Sequence, residues 1–504
     1  MKNKRVPGDG ELSEIGYGYK GRRFACLVLA GLMALCLCAC GEYEEYVLKR
    51  SEELHRETPF GVEPVKEDNE EVVTVPDEKD IYVTVPAEAV YLKNAASEDG
   101  VSIQRLPAGT YLKRDSTDMW DGDSGFYKVS ILGSETEGYV PADSCTRCAW
   151  IFDGIEQPVV DTESELYSYD EMVKDIKELC SRYEDRLSFE TAGKSADGRD
   201  IYLLHLGNPG AENRIFIDAA IHGREYISAQ LTMALIEYYA SQYYNGCYHN
   251  RSYSELFDKI CFDIIPMANP DGVTISQYGE EGLRDRNLRE NLRECYERDK
   301  DLLVYQEDGN GTMYWADYYK IENYDKSALP EELQKEIGYE DYLTQWKSNA
   351  RAVDINTNFD AGWEETKYKD YPSYGMSKGK EAGSEPETQI LMRESQRYDY
   401  SCYVNYHSRG QIIYYDSFGM SGLEIRESKA LANSLSQFNL YTLVSTGDDG
   451  VDKAGFGDYV HIVLKKPGVT IEIGREPSPV PVSELKGIFF RNRETWAMMA
   501  FSYW

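Results

Sequence analysis

The stretch AAIHGREYISAQ, residues 219–230, holds His222 and Glu225 three positions apart, where an apolar run gives way to a helix-like pattern. Residues at i and i+3 are neighbours on a helical turn, so an imidazole and a carboxylate so placed can grip one cation from the same side. Alone, the pair reads equally well as a structural histidine followed by an acidic residue at a helix N-terminus, where the helix dipole favours negative charge. A catalytic zinc site needs a third ligand from elsewhere in the chain and leaves its fourth position to water. His407, in YVNYHSRGQIIYY, qualifies because it too stands where an apolar strand breaks. Water activation further needs a base, and GVTIEIGRE sets Glu472 between Ile471 and Ile473. A carboxylate buried there without a partner is costly. A nearby cation and its water explain it, and so does a salt bridge to Arg475.

Other residues compete weakly. His205 lies inside YLLHLG and His249 follows a Tyr-rich helix end, both structural positions, and His55 is in an N-terminal tether. GMSKG, residues 375–379, fits the G-x-S-x-G pattern but lacks the preceding strand and following helix of a nucleophile elbow. HExxH is absent, which removes the other common zinc peptidase plan.

These side chains need elements to position them. Beyond Thr162 the chain alternates helices and strands in an α/β rhythm. SYDEMVKDIKELCSRY opens on a Ser168 to Glu171 capping box, and Met172, Ile176, Leu179 and Tyr183 recur at helical spacing. DIYLLHLG, NRIFIDAAIHG, KICFDIIPMANPDG, SCYVNYHSRG and PGVTIEIG are apolar, β-branched runs, as buried strands of a parallel or mixed sheet are. Their polar residues gather at C-terminal ends, where open α/β sheets place ligands.

The N-terminal part differs. Lys20, Arg22 and Arg23 precede FACLVLAGLMALCLCAC, an apolar stretch too short and abruptly ended for a spanning helix, which reads as a targeting segment. Its LCAC ending resembles the lipobox of bacterial lipoproteins, which implies residues 1–40 as a signal, cleavage before Cys40 and a lipid on that sulfur. The expected location is the outer face of the cell membrane, lipid-anchored, or secreted. Residues 41–79 read as a flexible tether. From about residue 80 to 149, five or so short alternating runs such as AVYLKNA and FYKVSIL predict a small all-β barrel. GFYKVSI and EGYVPADS resemble bacterial SH3-like domains, which often hold cell-wall peptide.

Charge and cysteine usage narrow the partners. With 54 Lys and Arg against 88 Asp and Glu, the formal net charge is -34, which argues against nucleic acid. Of 11 cysteines, those after the signal region are odd in number and scattered, unlike a disulfide framework. Cys145 and Cys148 form a lone CxxC without a second pair.

HGRE, MANPDGV, VDINTNFDAGW, GSEPETQIL, NYHSRGQIIYY and GVTIEIGRE stand in the order found in zinc carboxypeptidases of the carboxypeptidase A type. Residues 161–504 look most similar to the bacterial γ-D-glutamyl-L-diamino acid peptidases, which cut peptidoglycan stem peptides. The resemblance implies an α/β fold with a mixed eight-stranded sheet and helices on both faces, one Zn2+ held by His222, Glu225 and His407, and Glu472 as the base that takes a proton from water. It also implies substrate contacts by Arg224 and Asn356, and a cation for the developing oxyanion. An acidic insertion at about residues 281–345 leaves three candidates for that cation, Lys347, Arg351 and Arg284, of which Lys347 is favoured.

Two departures bear on specificity. The family reads Asn-Arg after the VDxN core, a fork for the substrate's terminal carboxylate, whereas Asn356 is followed by Thr357 here. Gly450 stands where digestive members carry a mobile tyrosine. Ordinary C-terminal trimming is therefore disfavoured. The expected activity is hydrolysis of stem peptides at the diamino acid on the cell surface. A conventional metallocarboxypeptidase and an inactive wall-peptide-binding pseudo-peptidase are the alternatives.

Overall fold

The computed structural model describes residues 81–504 apart from 85–89, 107–110, 115–124, 132–135, 148–154, 156, 250, 308–312, 319, 321–325, 329–333 and 447–453. The signal, Cys40, the tether, Cys148 and Gly450 lie outside the described residues. Among the described residues no helix is long and apolar enough to cross a membrane.

Eight strands build the main sheet: β1 (Leu187–Lys194), β2 (Asp200–Gly207), β3 (Asn213–Ala219), β4 (Ile260–Ile265), β5 (Cys402–Ser408), β6 (Ile412–Tyr414), β7 (Thr442–Val444) and β8 (Gly468–Ile473). Their order is β7-β6-β8-β5-β3-β4-β2-β1. The centre, β4-β3-β5-β8, is parallel, while β2 and β6 join it antiparallel. The sheet is mixed, as the resemblance implies.

Period-two alternation divides β3 between two cores. Ile215, Ile217 and Ala219 pack with Met172, Ile176 and Leu179 of α1 (Tyr169–Arg182) and with Leu231 and Leu235 of α2 (Ile227–Ser241). Phe216 faces the other way, toward Ile390 and Leu391 of a helix spanning Pro386–Glu394. Helices thus cover both faces. The Ser168–Glu171 capping box forms as the sequence predicts.

One polar knot sits within the sheet. Asp263 of β4 is buried and accepts hydrogen bonds from Arg214 Nε (2.7 Å) and Nη2 (2.5 Å), from the Tyr400 hydroxyl (2.9 Å), and meets His205 Nδ1 at 2.6 Å. Burial raises its pKa, but the bonds from His205 and Arg214 overcome that and hold the carboxyl below its ordinary range. His205 is structural, as expected from its position. Cys261 lies in the same group, but Arg214 already occupies both oxygens of Asp263, so a cation there would confront a guanidinium. Removing one partner of such a pair strands the other charge. Asp263→Asn should therefore destabilise the protein by about 3–5 kcal/mol, read as a lower midpoint in urea unfolding.

Residues 81–147 contribute a separate seven-stranded sheet whose pairings are all antiparallel. Val90, Leu92, Leu106, Leu112, Val129, Ile131 and Val140 fill its core. It has more strands than the sequence suggests. In Ser102–Leu106 only Leu106 is buried, so no alternation announces the strand, and Cys145–Arg147 spans three residues.

The segment read as an insertion is not uniform. Residues 73–301 and 336–504 belong to one compact unit, while 302–335 fall in another, whose described part includes a hairpin of Leu303–Glu307 with Met313–Asp317. The flanks are integrated into the first unit: Arg199 Nη2 donates to the Gly282 carbonyl, and the Tyr342 hydroxyl donates to Asp299 (2.7 Å).

Candidate active site

Strand β3 ends at Ala219, and the chain turns through Ala220, at a positive φ of 50°, to reach His222. Ser228 Oγ fixes this turn by accepting from Ala220 N (2.9 Å) and donating to the Glu225 carbonyl (2.6 Å). Gly223 cannot carry a side chain, because a Cβ there would lie 2.4 Å from the backbone of Gly272. Gly272 belongs to the NPDG turn, whose Asn269 accepts from Gly272 N (2.9 Å) and donates to the carbonyls of Ile221, Lys347 and Ser348 (3.1 Å each). One asparagine thereby clamps the His222 turn to the segment carrying Lys347.

His407 comes from β5, and the β5/β8 register sets it directly beside Glu472. Glu225 bridges the two histidines, with Oε1 2.8 Å from His222 Nδ1 and Oε2 3.1 Å from His407 Nδ1. Ser408 N donates to the same Oε2 at 3.2 Å. All three side chains are buried, and their donor atoms lie within 4.8 Å of one another. Burial raises the Glu225 pKa, but His222 and His407 outweigh it and hold the carboxylate well below its ordinary range. Burial lowers the His222 pKa, and Glu225 with Asp354 outweighs it, against Lys347, so the imidazole ends above its ordinary value. Two imidazole nitrogens and one carboxylate, buried and converging, form the donor set of a zinc site with an open fourth position.

Asp354, the acid of the VDIN motif, has a role that the sequence reading left unassigned. Its Oδ1 lies 3.4 Å from His222 Nε2 and accepts from Asn356 N (3.1 Å), while Oδ2 accepts from Met376 N (3.0 Å). Burial works to raise its pKa, yet the charge and hydrogen bond of His222, with Lys347 and Met376 N, hold it far below the ordinary carboxylate range. A carboxylate on the outer nitrogen of a metal-binding histidine fixes its tautomer and raises its basicity. Asp354→Asn should lower zinc affinity or kcat/KM by about 10- to 100-fold, measured by competition with a chelating dye and by initial rates.

Glu472 is half-buried. Burial pushes its carboxyl up to about 7, with Glu225 adding to the rise and His407, Lys347 and Arg224 opposing it. A carboxylate poised near neutrality suits proton transfer. Its electrical environment is thus made by the metal-site residues and two cations rather than by a simple salt bridge.

The three candidate cations separate. Lys347 is half-buried and acts on His222, Asp354 and Glu472, and the bare Cα of Gly375 leaves room for its stem, since a Cβ would meet Lys347 Cδ at 3.2 Å. Arg351 is exposed and lies 3.7 Å from Glu385, and Arg284 is exposed with its backbone nitrogen on Asp197 (2.8 Å). Arg224 acts on Glu472 and donates to Gln345 Oε1 at 2.7 Å. Asn356 Oδ1 accepts from Phe456 N (2.9 Å). Thr357 turns inward, its hydroxyl hydrogen-bonded to the carbonyls of Asp354 and Ser377 (2.9 Å each), so nothing replaces the missing fork at that position. GMSKG is a partly buried loop that supplies Met376 N to Asp354, not a nucleophile elbow.

The profile of the zinc carboxypeptidase family matches residues 172–437. The chain is 25% identical over 333 residues to YqgT of Bacillus subtilis (strain 168), covering 65% of this chain and 75% of that protein. It is 24% identical over 326 residues to gamma-D-glutamyl-L-diamino acid endopeptidase 1 of Lysinibacillus sphaericus, covering 64% and 69%. Among solved structures, thrombin activatable fibrinolysis inhibitor shares the fold at a TM-score of 0.50 and 17% identity, covering 70% of this chain and 79% of that one. With the profile spanning more than half of the chain and the ligand set assembled in the shared fold, this protein belongs to the zinc carboxypeptidase family and is a zinc metallopeptidase.

Proposed function

We propose that this peptidase hydrolyses peptidoglycan stem peptides at the bond between γ-D-glutamate and the diamino acid, at the outer surface of the cell. The observation that carries this reading is Thr357: the inward hydroxyl offers no bidentate grip on a free α-carboxylate, which a conventional carboxypeptidase requires. Similarity to a relative named for γ-D-glutamyl-L-diamino acid cleavage supports the same choice. The signal-like N-terminus and the antiparallel sheet of residues 81–147, proposed as an SH3-like wall-binding module, fit a lipid-anchored or secreted enzyme.

His222, Glu225 and His407 would hold the zinc, which when bound supplies Lewis acidity and lowers the pKa of water. Glu472 accepts the proton of the attacking water and delivers it to the leaving nitrogen as the C–N bond breaks. Lys347 sets a positive charge where the carbonyl oxygen becomes negative. Asn356 and Arg224 orient the substrate. Having all three ligands and the base in place argues against a pseudo-peptidase.

The test is a comparison of purified muropeptides with blocked dipeptides bearing a free C-terminus, using mass spectrometry of the products. Muropeptide cleavage at the γ-glutamyl bond, with at least about tenfold lower kcat/KM on the dipeptides, is the expected outcome. Robust dipeptide trimming with intact muropeptides would establish the conventional carboxypeptidase instead.

A further inference from the structure

Lys347 is gripped from two directions. Asn269 of the NPDG turn holds its carbonyl, and a second grip comes from residues 373–377. There the Tyr374 carbonyl accepts from Lys347 N (2.8 Å) and Ser348 N (2.9 Å), and Ser348 Oγ donates to the Ser373 carbonyl (2.7 Å). The same loop sets Gly375 against the Lys347 stem and supplies Met376 N to Asp354. Whatever fixes this loop therefore fixes both the oxyanion cation and the carboxylate beside His222.

Much of what fixes it belongs to the inserted segment. In the helix Arg286–Asp299 the buried residues are Leu292, Cys295 and Asp299, at i, i+3 and i+7 on one face. Cys295 Sγ (3.4 Å) and Arg298 Nη2 both donate to the Pro372 carbonyl. Asp299 is fully buried, and its Oδ2 accepts from Ser373 Oγ (2.6 Å) and from the Tyr342 hydroxyl (2.7 Å). Ser373 Oγ in turn accepts from Lys369 Nζ (2.8 Å), which is itself buried and lies 5.0 Å from the centre of the Tyr374 ring. The Tyr342 ring packs on Tyr374 and Trp346, with centroids 5.4 and 5.8 Å apart. An acid in the last turn of a helix faces the negative end of the dipole, and burying it together with a lysine adds desolvation. Apolar residues would attach a surface insertion without those costs, but they have no directional bonds. A hydroxyl held between Asp299 and Lys369 fixes where the loop sits as well as attaching it. We propose that the Asp299–Ser373–Lys369 link makes the inserted segment a positioning element for Lys347, holding its side chain where the oxyanion forms. The inference rests on the oxyanion reading of Lys347 and gives the insertion a part in the reaction.

The experiment is a double-mutant cycle. Its variants are Asp299→Asn, the paired Asp299→Asn/Lys369→Met, which strands no buried charge and carries the test should the single variant not fold, and Lys347→Met. Rates are read on whichever of the muropeptide and dipeptide substrates above is cleaved, with zinc content checked. Lys347→Met should lower kcat by about 10²- to 10³-fold. Both Asp299 variants should lower kcat by about tenfold or more, with KM within about twofold and zinc unchanged, because a small misplacement of the cation weakens only its contact in the transition state. In the Lys347→Met background the Asp299 changes should cost less than about twofold, since their effect passes through Lys347. Hydrogen exchange read by mass spectrometry should be about tenfold faster in segments 346–349 and 372–377 of the Asp299 variants and unchanged in 219–230 and 403–410. Full kcat in the Asp299 variants, a loss that repeats undiminished without Lys347, or faster exchange spread over all four segments overturns the positioning role and leaves the oxyanion reading standing. Undiminished kcat in Lys347→Met overturns both.

Discussion

Glu472→Gln lowers kcat by about 10²- to 10⁴-fold while leaving the zinc content unchanged. The substitution is nearly isosteric, and Glu472 makes no hydrogen bond within the described protein that the amide would break. What it removes is the ability to take a proton. Burial and Glu225 push the Glu472 carboxyl up to about 7, against His407, Lys347 and Arg224, so the group is a stronger base than an exposed glutamate. A glutamine amide has no such basicity. The ligand atoms belong to other residues, so metal analysis of the variant should still give the wild-type value. Full turnover by the variant would remove Glu472 from the mechanism, and loss of metal would place it among the ligands.

Glu225→Gln has the larger effect on the metal, with zinc affinity falling by more than about 100-fold. Substitutions one shell further out already cost about 10- to 100-fold, and a direct ligand exceeds them. Glu225 is the only negative charge in the donor set, and its two oxygens face both histidines at 2.8 and 3.1 Å. An amide there provides one neutral oxygen and turns an NH2 group toward an imidazole nitrogen. Activity in limiting zinc should disappear and should return partly at high zinc. Circular dichroism and competition with a chelating dye separate this outcome from unfolding. Retention of tight zinc by the variant would mean that the two histidines and some other group form the site.

Much of this site is legible in the linear chain because its parts sit at element boundaries. His222 and Glu225 straddle a strand end and a helical turn, so their spacing alone brings them together. His407 stands where one apolar run breaks and Glu472 lies inside another, between Ile471 and Ile473, and the parallel register of β5 with β8 makes them neighbours. Other parts are set by tertiary paths that no local pattern encodes. Lys347 differs from Arg284 and Arg351 only in where the segment before VDIN is pinned, and that depends on Asn269 reaching its carbonyl. Asp354 looks like any acid in a loop until His222 Nε2 is seen beside it. The strands Ile412–Tyr414 and Thr442–Val444, the last two at one side of the sheet, have three residues each, too few to show a period.

The most direct measurement is anomalous diffraction at the zinc edge from crystals of the purified protein. One zinc should appear about 2.0–2.2 Å from Nδ1 of His222, Nδ1 of His407 and a carboxylate oxygen of Glu225. A peak instead among His205, Cys261 and Asp263, or no peak from protein supplied with zinc, would contradict the site as assigned here.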